Sequence, residues 1–129
     1  MYKKAKKIIG SKNQLKLEEH NEMAKKFTGR QLDLLKEKFD AQIENDTALI
    51  SKLLKEEKNL IKRKYYYTTN FAVVNSDFET APYLALTELY NANVKLLDTI
   101  NNSLTNKVKT SKYGKELDKF IKDIKQNEN

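Results

Sequence analysis

The pattern of hydrophobic positions predicts one long helix over residues 30–70. This segment contains no glycine or proline, and its apolar residues recur three or four positions apart, as on one face of an α-helix. A helix of about 40 residues is about 60 Å long, which suits a bundle, a hairpin or a spacer. The predicted apolar stripe consists of Leu32, Leu35, Phe39, Ile43, Leu49, Ile50, Leu53, Leu54, Leu60, Ile61 and Tyr65.

A shorter helix is predicted before the long one, over residues 14–28. Ser11 or Asn13 is a suitable cap for its first turn, because a short polar side chain can accept a hydrogen bond from the free backbone N–H groups. Gly29 is the residue at which this helix is expected to end or bend. Residues 1–10 are interpreted as a basic lead-in.

Further helices are predicted after a break over residues 71–79, which contains turn-forming residues. One begins at Thr80, where Pro82 fits the first turn. Asn93 is a suitable cap for a short helix, and a final helix is expected over residues 112–126, with apolar residues at i, i+3, i+4 and i+7.

The predicted fold is therefore all-α, with four to five helices built around the long helix of about 30–70 as a hairpin or bundle. The length of 129 residues indicates a single domain over 1–129. Its last residues, 126–129, are expected to fray.

Charge is abundant and unevenly distributed. Charged residues make up 33% of the chain, the net charge is +7, and residues 1–65 hold 17 Lys and Arg against 10 Asp and Glu. The excess lies in the lead-in, at Lys3, Lys4, Lys6 and Lys7, and again over residues 62–64. Such runs usually form solvated surface, and they can also hold phosphates or anionic lipid.

Cysteine is absent from the chain, which excludes disulfides, thiolate nucleophiles and cysteine-ligated metals. No apolar run approaches the 18 or so residues of a membrane span, so no transmembrane segment is predicted. The basic start is not followed by the apolar stretch of a signal peptide. The chain as written is therefore expected to stay in the cytoplasm, unless a signal has been removed.

Catalytic and metal-binding patterns are not found in the sequence. His20 is the only histidine, and neither the His-Glu-x-x-His nor the Glu-x-x-His arrangement of metal sites can be formed around it. The three glycines are too far apart for a phosphate-binding loop. We therefore predict no enzyme activity, no catalytic residues, no cofactor and no metal.

One local cluster is a candidate for interaction, since three tyrosines directly follow three basic residues. Aromatic rings beside cations can stack on single-stranded bases. Successive residues of a helix point about 100° apart, however, so three neighbouring tyrosines cannot form one platform, and packing against neighbouring helices is favoured. The cluster consists of Lys62, Arg63, Lys64, Tyr65, Tyr66 and Tyr67.

The order of features after residue 65 resembles a known family. The three tyrosines lead into a helix end and a turn over 68–77, a new helix follows at Ala81, and the run over 109–117 contains Ser-Lys-Tyr-Gly-Lys-Glu-Leu. These features resemble the helical region of the Bacteroidetes envelope thiol–disulfide oxidoreductases. The resemblance covers about residues 10–125 and implies a position between a β-rich domain of unknown function and a thioredoxin-like domain.

The resemblance implies an accessory role, because the Cys-x-x-Cys pair and the thioredoxin-like domain of that family are absent from this sequence. It also implies a periplasmic or envelope location. The leading hypothesis is a non-catalytic helical spacer or partner-docking module, which binds a protein partner or self-associates. The alternative hypothesis is a basic helical nucleic-acid-binding protein.

Overall fold

The computed structural model of the protein describes residues 11–128 and confirms the all-α fold. Within this range the chain forms six α-helices and no strand. The lead-in predicted over residues 1–10, with its four lysines, lies outside the described residues, as does Asn129 at the end of the predicted frayed tail. The helices are α1 (Ser11–Ile43), α2 (Thr47–Val74), α3 (Thr80–Glu88), α4 (Val94–Ser103), α5 (Asn106–Lys109) and α6 (Lys112–Asn127).

The described chain divides into two compact units. Residues 21–64 form one unit, which contains the end of α1 and the beginning of α2. The other unit contains residues 11–20 and 65–128. We call them the hairpin unit and the core unit.

The hairpin unit turns at Glu44–Asp46, between α1 and α2. Asn45 has a positive φ of 56°, a left-handed conformation that asparagine tolerates better than most residues. The N–H of Asp46 donates to the carbonyl of Ala41 at 3.0 Å, and the N–H of Asn45 donates to Gln42 at 3.2 Å. This pair of bonds is a Schellman motif, which satisfies the last carbonyl groups of α1.

The turn corrects the predicted bounds of the long helix. The continuous helix expected over residues 30–70 is interrupted at residues 44–46, and the first helix does not end at Gly29 but continues to Ile43. A single glycine costs a helix only about 1 kcal/mol relative to alanine, so Gly29 is tolerated inside α1. Asp46 then caps α2 by accepting a hydrogen bond from the N–H of Leu49 at 3.1 Å.

The two helices of the hairpin unit are joined by buried apolar residues and by ion pairs. The buried apolar residues are Phe27, Leu34 and Ala41 on α1 and Leu53 and Leu60 on α2. Arg30 contacts Glu56 at 3.1 Å, and Lys38 contacts Glu57 at 3.3 Å. The three-residue turn and these contacts define an antiparallel helical hairpin.

The core unit is built around α3, α4 and α6, which pack against one another. The predicted starts of these helices are confirmed. Helix α3 begins at Thr80, the side chain of Asn93 caps α4 by accepting from the N–H of Lys95 at 2.9 Å, and α6 begins at Lys112. The main buried apolar residues include Leu89, Leu97, Ile100, Leu117 and Ile121.

Asn13 connects the beginning of α1 to the same core. Its side-chain oxygen accepts a hydrogen bond from the N–H of Thr80 at 3.2 Å, and the Thr80 hydroxyl donates to the Asn13 backbone carbonyl at 2.9 Å. Thr80 is fully buried. These bonds fix the start of α1 against the first turn of α3.

Four residues of the run over 111–117 contribute to the structure of the core unit, one as a helix cap and three through packing. Ser111 caps α6 by accepting from the N–H of Gly114 at 3.2 Å. Tyr113 packs edge-on against Tyr83 with 5.2 Å between ring centroids, and Leu117 is fully buried. A β-carbon at Gly114 would collide with the backbone of α5, so a side chain is excluded there.

None of the helices in the described range combines the length and apolar character needed to cross a membrane.

Candidate interaction surface

The most unusual surface of the hairpin unit is an outward-facing row of large apolar side chains on α1. Leu32, Leu35, Phe39 and Ile43 are between 52% and 69% exposed. At about 3.6 residues per turn, the four positions lie within an arc of about 80°. We call this row the α1 stripe. Clustered apolar side chains on a surface usually mark an interaction site.

The α1 stripe corrects the expectation that these residues face a core. Leu53 and Leu60 of the predicted stripe are buried, whereas its first four residues point outward. Leu34 and Ala41, which lie on nearly the opposite side of α1, face α2 instead. Helix α1 therefore has two apolar faces, of which the hairpin covers only one.

The basic part of the predicted cluster lies in the hairpin unit, near the end of its second helix. Lys62 and Arg63 are exposed, and Lys64 is half-buried. Among the described residues, neither Lys62 nor Arg63 forms an ion pair. Their role in binding stays a prediction.

The three tyrosines that follow lie in the core unit, and they point in different directions as the helical geometry requires. Tyr65 packs against the buried core, and Tyr67 stacks on the ring of His20 with 5.5 Å between centroids. Tyr66 is 53% exposed. Burial, and secondarily the charge of Glu19, raises the pKa of Tyr67 above its usual value. The tyrosines therefore do not form a joint stacking platform.

His20 occupies a fully buried polar position in the core unit. Its Nε2 lies 2.9 Å from Oγ1 of Thr68, which is also buried. Phe71 meets the imidazole edge-on with 5.4 Å between centroids and also lies beside the ring of Tyr67 at 6.2 Å. The sequence places His20 on the apolar face of a helix, but it carries no signal for Thr68 as its partner.

The His20–Thr68 pair contains a base and a hydroxyl that could act as a nucleophile, but the pair is not accessible to a substrate. The two residues are 0% and 1% exposed, so a substrate cannot reach the hydroxyl. Catalysis requires the nucleophile to contact the reacting group. Within residues 11–128, no group of three His, Cys, Asp or Glu side chains is placed to hold a metal ion.

One cleft of the described chain, in the core unit, is lined by side chains of both charges. It has a volume of about 560 Å³ and is lined by Lys12 and Lys107 but also by Asp77 and Glu79. One carboxylate oxygen of Glu79 is buried without a hydrogen-bond partner among the described residues. Because both cations and anions line the cleft, neither a phosphate nor a metal ion is favoured there.

Comparisons with protein-family models, with curated proteins and with solved structures gave no match.

Proposed function

We propose that this chain is a non-catalytic helical module that docks a protein partner. The observation that carries the proposal is the α1 stripe, whose four large apolar side chains face outward on a regular helix. Fully burying an exposed side chain of this size contributes about 1.5–3 kcal/mol, and these half-exposed side chains would contribute part of that. A partner that covers the α1 stripe would therefore gain free energy, from which the cost of association is subtracted.

The preformed turn of the hairpin and the contacts between its helices support the proposal. The Schellman motif and the cap at Asp46 fix the end of α1, and Lys38 and Arg30 join α1 to α2 through ion pairs. A preformed helix face loses little conformational entropy when it binds. Apolar anchors at i, i+3 and i+7 are the arrangement used when helices recognise one another.

The experiment is capture by the full chain from cells of its source, after crosslinking. The Leu35→Glu/Phe39→Glu variant places two charges in the centre of the α1 stripe, and Leu54→Glu, at an exposed apolar position on α2, is the matched control. We expect one protein to be retained by the native chain and by the control and lost from the double variant. Equal retention by all three would contradict the proposal.

The resemblance to the envelope oxidoreductases leads to a narrower proposal for the same module. In this version the module would act as a spacer or docking region beside a thioredoxin-like domain of the same protein. The Ser111–Leu117 run supports this version. Sequencing the DNA on both sides of the coding region tests it, because the proposal requires a continuing frame with a β-rich domain upstream and a Cys-x-x-Cys domain downstream.

Nucleic-acid binding is the alternative, supported by the exposure of Lys62 and Arg63 without ion-pair partners in the described chain. This alternative predicts binding that weakens steeply as salt increases. Fluorescence anisotropy with single-stranded DNA and RNA at low salt tests it. Replacing residues 62–64 with glutamate should abolish binding, and an equal signal from the variant and the native chain would eliminate the alternative.

A further inference from the structure

We infer that the α1 stripe pairs with the α1 stripe of a second copy of this chain, with the two helices antiparallel. The inference rests on the proposed function, and it names the partner of the proposed docking surface. It is carried by the self-complementary order of the apolar residues and by the charges beside them.

The order of side chains along the α1 stripe suits a two-fold axis. Two aliphatic residues, Leu32 and Leu35, precede the larger Phe39 and then Ile43. If the axis passes between Leu35 and Phe39, each Leu35 faces Phe39 of the other copy and each Leu32 faces Ile43. A surface that pairs with itself across a two-fold axis forms a closed dimer and leaves no second stripe exposed.

The charges beside the α1 stripe favour the antiparallel direction. Lys36 and Asp40 are both exposed on one flank, and neither forms an ion pair within residues 11–128. In the antiparallel dimer, Lys36 of each copy approaches Asp40 of the other, so two attractive pairs form. In a parallel two-fold dimer, the flanks that carry Lys36 and Asp40 in the two copies would lie on opposite sides of the interface, so these attractive pairs could not form.

The interface is expected to be weak, because each copy contributes one helix face. Stable interfaces bury about 800 Å² on each partner, which is more than four side chains on one helix provide. Association should therefore depend on concentration, and a series from about 1 μM to about 1 mM spans the relevant affinities.

The first test is sedimentation equilibrium of the full chain over this concentration range. We expect the mass to rise from that of one copy toward that of two. The Leu35→Glu/Phe39→Glu variant should dissociate at least about 100-fold more readily, since each dimer would bury four charges, and Leu54→Glu should behave as the native chain. A native chain that stays at the mass of one copy throughout would overturn the inference.

A charge exchange tests the direction of pairing. Lys36→Asp should weaken association about 5- to 20-fold, because both attractive pairs become repulsive, and the Lys36→Asp/Asp40→Lys variant should restore it. Circular dichroism of each variant at low concentration checks that the helices are intact. If Lys36→Asp associates as strongly as the native chain, the antiparallel arrangement is wrong.

The two tests separate the self-association from the broader proposal. A chain that remains a single copy but still captures a protein through the α1 stripe would refute self-association and leave the docking function standing. A chain that pairs through the stripe and captures nothing else would support self-association as the function. Both proposals would be refuted if the native chain did not pair and if the Leu35→Glu/Phe39→Glu variant captured other proteins as well as the native chain does.

Discussion

The imidazole of His20 and the hydroxyl of Thr68 form a buried hydrogen bond of 2.9 Å across 48 positions of sequence. The bond lies among aromatic rings, with Tyr67 stacked on the imidazole and Phe71 at its edge. A buried polar group is costly to leave without a partner. The pair therefore specifies one register of the first turns of α1 against α2 within the core unit.

Thr68→Val should lower the free energy of unfolding by about 1–3 kcal/mol, because it removes the hydroxyl with little change in side-chain shape. Thr69→Val is the matched control, since the Thr69 hydroxyl bonds only locally to the carbonyl of Tyr65 in the same helix at 2.8 Å. Urea denaturation measures both. A Thr68→Val loss no larger than that of the control would show that the long-range bond contributes nothing.

Replacing each of the two described glycines with alanine should change the stability of the protein in opposite directions. Gly29→Ala should stabilise the protein by about 1 kcal/mol, because no atom lies within 4 Å of the added carbon and alanine favours the helix. Gly114→Ala should destabilise it by about 1–3 kcal/mol, because the methyl group meets the backbone of Val108 and Lys109. Thermal unfolding of both variants measures the two signs, and equal shifts would contradict the packing at Gly114.

The stability of the protein should depend on the residue at position 45, in the turn of the hairpin. Asn45→Gly should preserve or slightly raise stability, because glycine adopts a positive φ without a steric penalty. Asn45→Val should lower it by about 1–2 kcal/mol, since a β-branched residue is strained in that conformation. Denaturation curves of the two variants provide the comparison, and a stable Asn45→Val protein would mean that the turn does not limit stability.

Alkaline pH should destabilise the core unit through Tyr83. Burial, followed by the nearby Tyr113 and Glu88, raises the pKa of Tyr83 above its usual value of about 10. The folded state therefore holds the proton more tightly than the unfolded state. This contribution is fully present below about pH 10 and is lost as the pH rises through the folded-state pKa.

The measurement is the free energy of unfolding between about pH 9 and pH 11. Tyr83→Phe should flatten the decline over this interval, because it removes the phenol that must ionise. Tyr66→Phe, at an exposed ring, is the control and should follow the native curve. Identical pH dependence in all three proteins would exclude Tyr83 as a source of the decline.

Local signals in the sequence predicted much of the core unit. Asn93 identifies a helix start because a capping side chain bonds to an amide two or three residues away. Ser111 caps α6 in the same way, although it was not singled out as a cap in the sequence. The apolar spacing of α6 likewise identifies its buried face, with Leu117 and Ile121 inside. These features depend on neighbours in sequence, so they can be recognised without the rest of the fold.

The hairpin unit was harder to predict, because two different faces of α1 satisfy the helical spacing. Leu32 and Phe39 belong to one face, and Leu34 and Ala41 belong to the other. Only the position of α2 decides which face is buried, and that position depends on the turn at Asn45. The turn contains no glycine or proline, so its residues resemble ordinary polar positions of a continuous helix.

The candidate surface also contains features that the sequence could predict and features that it could not. The spacing of Lys62–Tyr67 correctly indicates that the tyrosines diverge, since this follows from helix geometry alone. The exposure of Leu32, Leu35, Phe39 and Ile43 could not be predicted, because apolar residues at helical spacing normally face a core.

The turn at Asn45 has a consequence for the rate of folding. Residues 11–20 and 65–128 belong to one unit although 44 residues separate them along the chain, so residues 11–20 can join the rest of that unit only after a long loop is closed. Loop closure is entropically costly, and non-local contacts slow folding. A hairpin that forms early from local contacts shortens the free loop between His20 and Thr68. We therefore expect the three polar residues of the turn, which contribute nothing to the core, to speed the docking of the start of α1.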